Sequence, residues 1–109
     1  MATVQATNNG KGLLHFDLDD VNDETARVYL KAGQEILIHV TGLTANTSTA
    51  NIICYVGDNA TGVVLKDAAG TSDFTTDFVF GFTAPGGCAI TVKLTVDGGG
   101  TTVATITRE

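Results

Sequence analysis

The chain has 109 residues, 43% of them hydrophobic, with 13 glycines, one proline and no tryptophan. That length holds a single core and one domain, and the abundance of Thr and Val over scattered helix formers favours an all-β protein with many tight turns. A formal net charge of −6 argues against holding nucleic acid through its phosphates, and no stretch is long and apolar enough to cross a bilayer as a helix.

Residues 1–11 are small and polar, with Asn8-Asn9-Gly10 as a breaker, and read as a flexible arm ahead of one domain over residues 12–109. Thr3, Val4, Gln5, Asn8 and Asn9 are its candidate contacts, in an arm that orders against a partner. The terminus has no charged region followed by an apolar run, so no signal peptide is expected.

Leu14, Phe16 and Leu18 alternate with His15 and Asp17 in a half-exposed first strand. A polar acidic connection follows, and Ala26, Val28 and Leu30 share one face of a second strand, opposite Arg27 and Tyr29. After the Lys31–Gln34 turn, Ile36, Ile38 and Val40 alternate with Leu37, His39 and Thr41. A third strand apolar on much of both faces reads as central in its sheet. The small polar stretch over residues 41–50 is long for a hairpin and reads as a loop crossing between sheets. Residues 51–56 form a fourth strand, residues 63–66 a short fifth, and turns rich in Gly, Asp and Asn flank them.

The stretch over residues 73–96, DFTTDFVFGFTAPGGCAITVKLTV, organises the rest. Phe74, Phe78, Phe80 and Phe82 share one parity before the Ala84–Gly87 turn, and Cys88, Ile90, Val92 and Leu94 share one parity after it. The expectation is a hairpin of two adjacent strands whose apolar face a second sheet must cover. Asp97-Gly98-Gly99-Gly100 reads as a hairpin tip before an eighth strand over residues 102–107. The whole is about eight short strands without a helix. The expected fold is all-β, a two-sheet antiparallel β-sandwich, jelly-roll or immunoglobulin-like.

Chemistry-bearing residues are sparse. Asp17, Asp19, Asp20, Asp23 and Glu24 cluster, and hard cations such as calcium take several oxygen ligands from such a loop. The stretch lacks the glycine and glutamate of an EF-hand, and a solvated strand connection needs the same composition. Asp58 and Asn59 serve a turn as well as they would a cation. His15 and His39 lie on strands with no partner at ligand spacing, and Ser48 and Ser72 have no nucleophile-elbow glycines around them. The expectation is therefore a non-enzyme without a cofactor, calcium being the one ion the acidic stretch would take. Tyr29 and Tyr55 oppose the parity of their strands' core residues, as exposed contact aromatics or as filling of a second face. Cys54 and Cys88 share parity with core residues and read as buried free thiols rather than a bridge.

The run VYLKAGQEILIHVTG over residues 28–42 resembles the opening of the bacterial pre-peptidase C-terminal domain, and FTAPGGCAITVKL over residues 82–94 resembles its ending. Asn51–Tyr55 stands where that family has an acidic strand motif, and Cys88-Ala89 where it has an aromatic. The resemblance implies a jelly-roll-like sandwich and a non-catalytic module that binds carbohydrate or matrix, assisted by calcium, and is secreted once a leader is removed. In size, acidity and Thr/Ala/Gly/Val richness the chain also resembles small all-β proteins that decorate or cement bacteriophage heads. That likeness implies a structural virion protein, assembled in the host cytoplasm, that binds the major capsid protein and self-associates, a trimer being favoured. Head decoration is the leading expectation and the ligand-binding module the alternative.

Overall fold

The computed structural model describes residues 2–8, 13–57 and 59–108. In chain order the strands are β1 (Thr3–Val4), β2 (Thr7–Asn8), β3 (Leu13–Leu18), β4 (Glu24–Thr25), β5 (Val28–Leu30) and β6 (Glu35–Thr41). One helical turn, α1 (Leu43–Asn46), precedes β7 (Thr49–Tyr55), β8 (Val63–Val64), β9 (Phe78–Thr83), β10 (Cys88–Val96) and β11 (Thr102–Arg108). One sheet runs β1-β4-β10-β7-β8, with β5 also on β10, and the other runs β2-β3-β11-β6-β9. Every pairing is antiparallel except that of β1 with β4.

Setting β1 and β2 aside and taking β4 with β5 as one broken strand leaves the eight strands that periodicity marks out. Numbered in sequence, they lie in the orders second-seventh-fourth-fifth and first-eighth-third-sixth. That is the double Greek key of a jelly roll, not the immunoglobulin arrangement. Every link between these strands changes sheet except the one from β7 to β8.

Two expectations are corrected here. The Phe-rich strand and the strand after it are not a hairpin: β9 pairs with β6, while β10 pairs with β4, β5 and β7 in the opposite sheet. Their apolar faces meet across the core instead of side by side. Likewise the three-glycine turn joins β10 to β11 across sheets and is no hairpin tip. It packs against α1, and a Cβ on Gly98 would stand 1.8 Å from the Asn46 carbonyl oxygen. Period-two alternation reports which face a strand buries but not which sheet it joins. The stretch over residues 41–50 does cross between sheets, and it contains the turn of helix α1 where none was expected.

The core sits between the sheets. Phe16, Leu18, Ile38, Val40, Ile52, Ile90, Val92, Leu94 and Ile106 are fully or almost fully buried, and Leu43 of α1 closes one end. Each such side chain is worth roughly 1.5–3 kcal/mol. Phe74 precedes β9 and bridges Ala50 in the β7 sheet, yet its ring stacks on Phe78 of the other sheet at 4.1 Å and meets Phe80 edge-on at 6.2 Å. It therefore ties the two sheets together on the side where the chain passes between them. β6 is central, as its pattern suggested, but its outer face is open, with Leu37 and His39 exposed. The strands buried on both faces are β7 and β10, whose outer cluster of Ile53, Tyr55 and Ala89 lies under the segment around Gly62.

Candidate functional site

The acidic stretch forms a corner between β3 and β4, and its members take separate structural tasks. Asp23 is buried, and its Oδ2 accepts the backbone N–H groups of Asp19 and Asp20 at 3.2 and 3.1 Å. Asp19 accepts the Thr101 hydroxyl at 2.7 Å, fastening the corner to the β10–β11 turn. Asp17 stands exposed beside His15, 3.3 Å from its Nε2, and Asp20 is exposed. Glu24 turns to the outer face of the β10 sheet, where its Oε2 accepts both the Tyr55 and Thr91 hydroxyls. Among the described residues no three of His, Cys, Asp and Glu are placed to hold a metal ion.

The two tyrosines differ. Tyr29 is 63% exposed and borders an open depression of about 310 Å³ with Leu30, Gly57, Gly87, Cys88 and Ala89. Tyr55 is only 8% exposed, so it is not a contact aromatic. Its strand is covered on both faces, and the Arg27 guanidinium lies 3.9 Å from the ring centroid. Burial first, and then the Glu24 carboxylate, push the Tyr55 phenol above the usual tyrosine range, against the opposing pull of Thr91 and Arg27. Cys54 and Cys88 are free thiols on neighbouring strands, and burial with the adjacent Cys54 raises the Cys88 thiol.

Of the expected arm, Thr3–Val4 and Thr7–Asn8 are strand-paired. Thr3–Val4 lies parallel to Glu24–Thr25, the Val4 carbonyl accepts the Ala26 N–H at 2.8 Å, and the Val4 side chain packs against the core. Thr7–Asn8 pairs with β3. Thr3 and Gln5 are exposed, Asn9 lies outside the described residues, and so does Asp58.

A surface that the sequence reading passed over lies on the β6–β9 side. β9 is the last strand of its sheet and pairs only with β6 among the described residues. Its six residues, FVFGFT, carry no ionisable side chain. On the outer face Leu37 and Val79 are diagonal neighbours, exposed by 50% and 61%. Beside them Gly81 leaves an open depression of about 390 Å³, edged by Glu35, Leu37, Thr83 and Thr107. Apart from its two chain neighbours, no described residue comes within 4 Å of where a Gly81 Cβ would be. The available signal was a lone glycine inside an uncharged strand.

No family model and no curated protein matches the chain. Solved structures do. The lysozyme inhibitor PliG of Aeromonas hydrophila, periplasmic and directed at g-type lysozyme, superposes with a TM-score of 0.57 at 15% identity, over 99% of this chain and 97% of its own. A de novo designed double-stranded β-helix gives a TM-score of 0.51 at 13% identity, over 89% and 97%. The CENP-C of Drosophila melanogaster, solved bound to CAL1, gives 0.52 at 11% identity, over 94% of this chain and 68% of its own. At these identities the likeness is one of fold, and it agrees with the jelly-roll strand order.

Proposed function

We propose that this chain is a non-catalytic structural protein that works by binding other protein, and that it decorates or cements the head of a bacteriophage. The observation that carries the reading is the β6–β9 side: an uncharged edge strand beside an exposed Leu37–Val79 face. Apolar side chains grouped next to unpaired strand backbone suit a protein surface better than a small polar ligand. Two of the similar folds support it by what they do, one being a lysozyme inhibitor and the other solved bound to a protein partner. The acidic character fits a protein that covers another protein rather than a nucleic acid.

The test begins with the genes that flank this one. If a major capsid protein is encoded beside it, empty heads of that capsid protein are mixed with the purified chain and sedimented. Saturable co-sedimentation supports the reading. Retention of the chain in the supernatant at every concentration overturns it.

The ligand-binding alternative rests on Tyr29, the exposed aromatic beside the second depression. A melting temperature that climbs with a soluble oligosaccharide or with calcium, and no longer does so in Tyr29→Ala, would favour it.

A further inference from the structure

We infer that β9 pairs edge to edge with β9 of a second copy, giving a twofold dimer in which the β2-β3-β11-β6-β9 sheet of one copy continues into that of the other. This takes the protein-binding reading of the β6–β9 side as its starting point and names its first partner as the chain itself. An exposed edge strand presents a row of unpaired N–H and C=O groups, and proteins that stay single blunt such edges with Lys, Pro, bulges or very short strands. β9 has six residues, no charge, no proline and a regular register with β6 over its whole length.

Its sequence is complementary to itself. Twofold antiparallel pairing keeps outer faces together only when residues of like parity meet. Centred on Phe80, it sets Phe80 against the partner's Phe80 and Phe78 against the partner's Phe82, extending the half-buried Phe row along the inner face. On the outer face it sets Val79 against the partner's Gly81, so that each exposed valine lies over the hollow beside a glycine. Within one copy that glycine is unexplained: its φ is not in the left-handed region, and nothing near it would meet a Cβ. A glycine inside a strand lowers stability relative to a residue with a side chain, and the partner's Val79 supplies the occupant. Centred on Gly81 instead, the pairing sets glycine against glycine and fills neither hollow.

Charge agrees. Each copy carries −6, yet Asp77 meets the partner's Thr83 rather than a carboxylate, and its own carboxyl is already held by the Leu43 and Thr44 N–H groups at 2.9 and 3.2 Å. The remaining repulsion is long-range and is screened by salt, so dimerisation strengthens as salt rises, whereas a basic partner would bind more weakly. The pairing is twofold, in place of the trimer that composition suggested.

The experiment is light scattering with size-exclusion chromatography from about 1 to about 500 µM, the range in which small interfaces associate. Wild type is expected to pass from monomer to dimer. A Val79→Glu/Gly81→Glu variant sets carboxylates opposite each other twice and is expected to stay monomeric. Mixed with a Val79→Lys/Gly81→Lys variant, it is expected to form a one-to-one heterodimer, which a misfolded chain cannot do. Val63→Glu, on the edge of the other sheet and 69% exposed in wild type, is expected to dimerise normally. A wild type monomeric throughout, a trimer, a Glu/Glu variant that still dimerises, a mixture that does not associate, or loss of the dimer in Val63→Glu overturns the pairing. A monomer that still sediments with heads refutes the pairing alone. A dimer that never sediments refutes the decoration reading alone.

Discussion

Replacing Phe74 by alanine should cost about 4 kcal/mol, because that ring belongs to both sheets at once. It is 7% exposed, stacks on Phe78 at 4.1 Å with an interplanar angle of 18°, and meets Phe80 edge-on. Truncating a buried Phe to Ala costs about 3–5 kcal/mol, and each aromatic contact adds roughly 0.5–1.5 kcal/mol beyond the buried area. Some relaxation is expected, since Phe74 lies just before β9 and its neighbours Phe78 and Phe80 are only half-buried. That keeps the sum near the middle of the range. For a domain of this size the melting midpoint should fall by roughly 15–20 °C. The assay is equilibrium urea unfolding of wild type, Phe74→Ala and Phe82→Ala, followed by circular dichroism. Phe82 is half-buried against the core and stacks on no other ring among the described residues, so its loss should cost about 2 kcal/mol. A Phe74→Ala cost below about 1.5 kcal/mol, or one no larger than that of Phe82→Ala, would refute the reasoning that Phe74 ties the sheets.

Gly98→Ala should cost more than about 3 kcal/mol, since its Cβ would collide with the Asn46 backbone rather than with a side chain free to move. Gly81→Ala, with open space around it, should change monomer stability by less than about 1 kcal/mol; thermal denaturation of both variants checks the contrast. The raised Tyr55 phenol makes stability pH-dependent at the alkaline end. The folded state keeps the proton that the unfolded chain loses, so this stability is complete below about pH 10 and is lost as pH rises through the folded value. Tyr55→Phe should be less stable at pH 8, with the Glu24 carboxylate losing a donor, but should lose less between pH 9.5 and 11.5, as urea midpoints would report. Deleting residues 2–8 should lower stability by about 2 kcal/mol or more, because the Ala2 and Val4 carbonyls accept from Glu24 and Ala26 and Val4 packs on the core. A deletion variant that melts like wild type would show that the paired arm contributes nothing.

Much of the fold was legible because alternation is a local property. The parity of Phe16 and Leu18, of Ile36, Ile38 and Val40, and of Ile90, Val92 and Leu94 assigned their buried faces correctly. Sheet membership was not legible. The Ala84–Gly87 and Asp97–Gly100 turns have hairpin chemistry, yet each is a corner, and only long-range pairings such as Ile38 with Phe80 distinguish the two. Tyr55 was read correctly as opposed in parity to the core, but Arg27, which stacks on its ring, lies far away in sequence, and nothing in the pattern showed that the nearby Gly62 turn folds back over it. The acidic stretch looked like one cluster because its members are consecutive. Folding turns Asp23 inward to the corner's own N–H groups and Glu24 outward to Tyr55, which separates them. The β9 edge was hidden for the opposite reason. Its Phe row marked it as core, whereas its exposure follows from its place at the end of the sheet order.

The central claim, that the β6–β9 side is the binding surface and that its first partner is a second copy, is tested most directly by amide hydrogen exchange followed by mass spectrometry. The chain is compared at about 5 µM and about 500 µM, below and above the association expected of a small interface. The account predicts that residues 78–83 gain protection at the higher concentration while β8 and the segment around Tyr29 exchange unchanged. Protection that rises at β8 or around Tyr29 while β9 stays the same would contradict it.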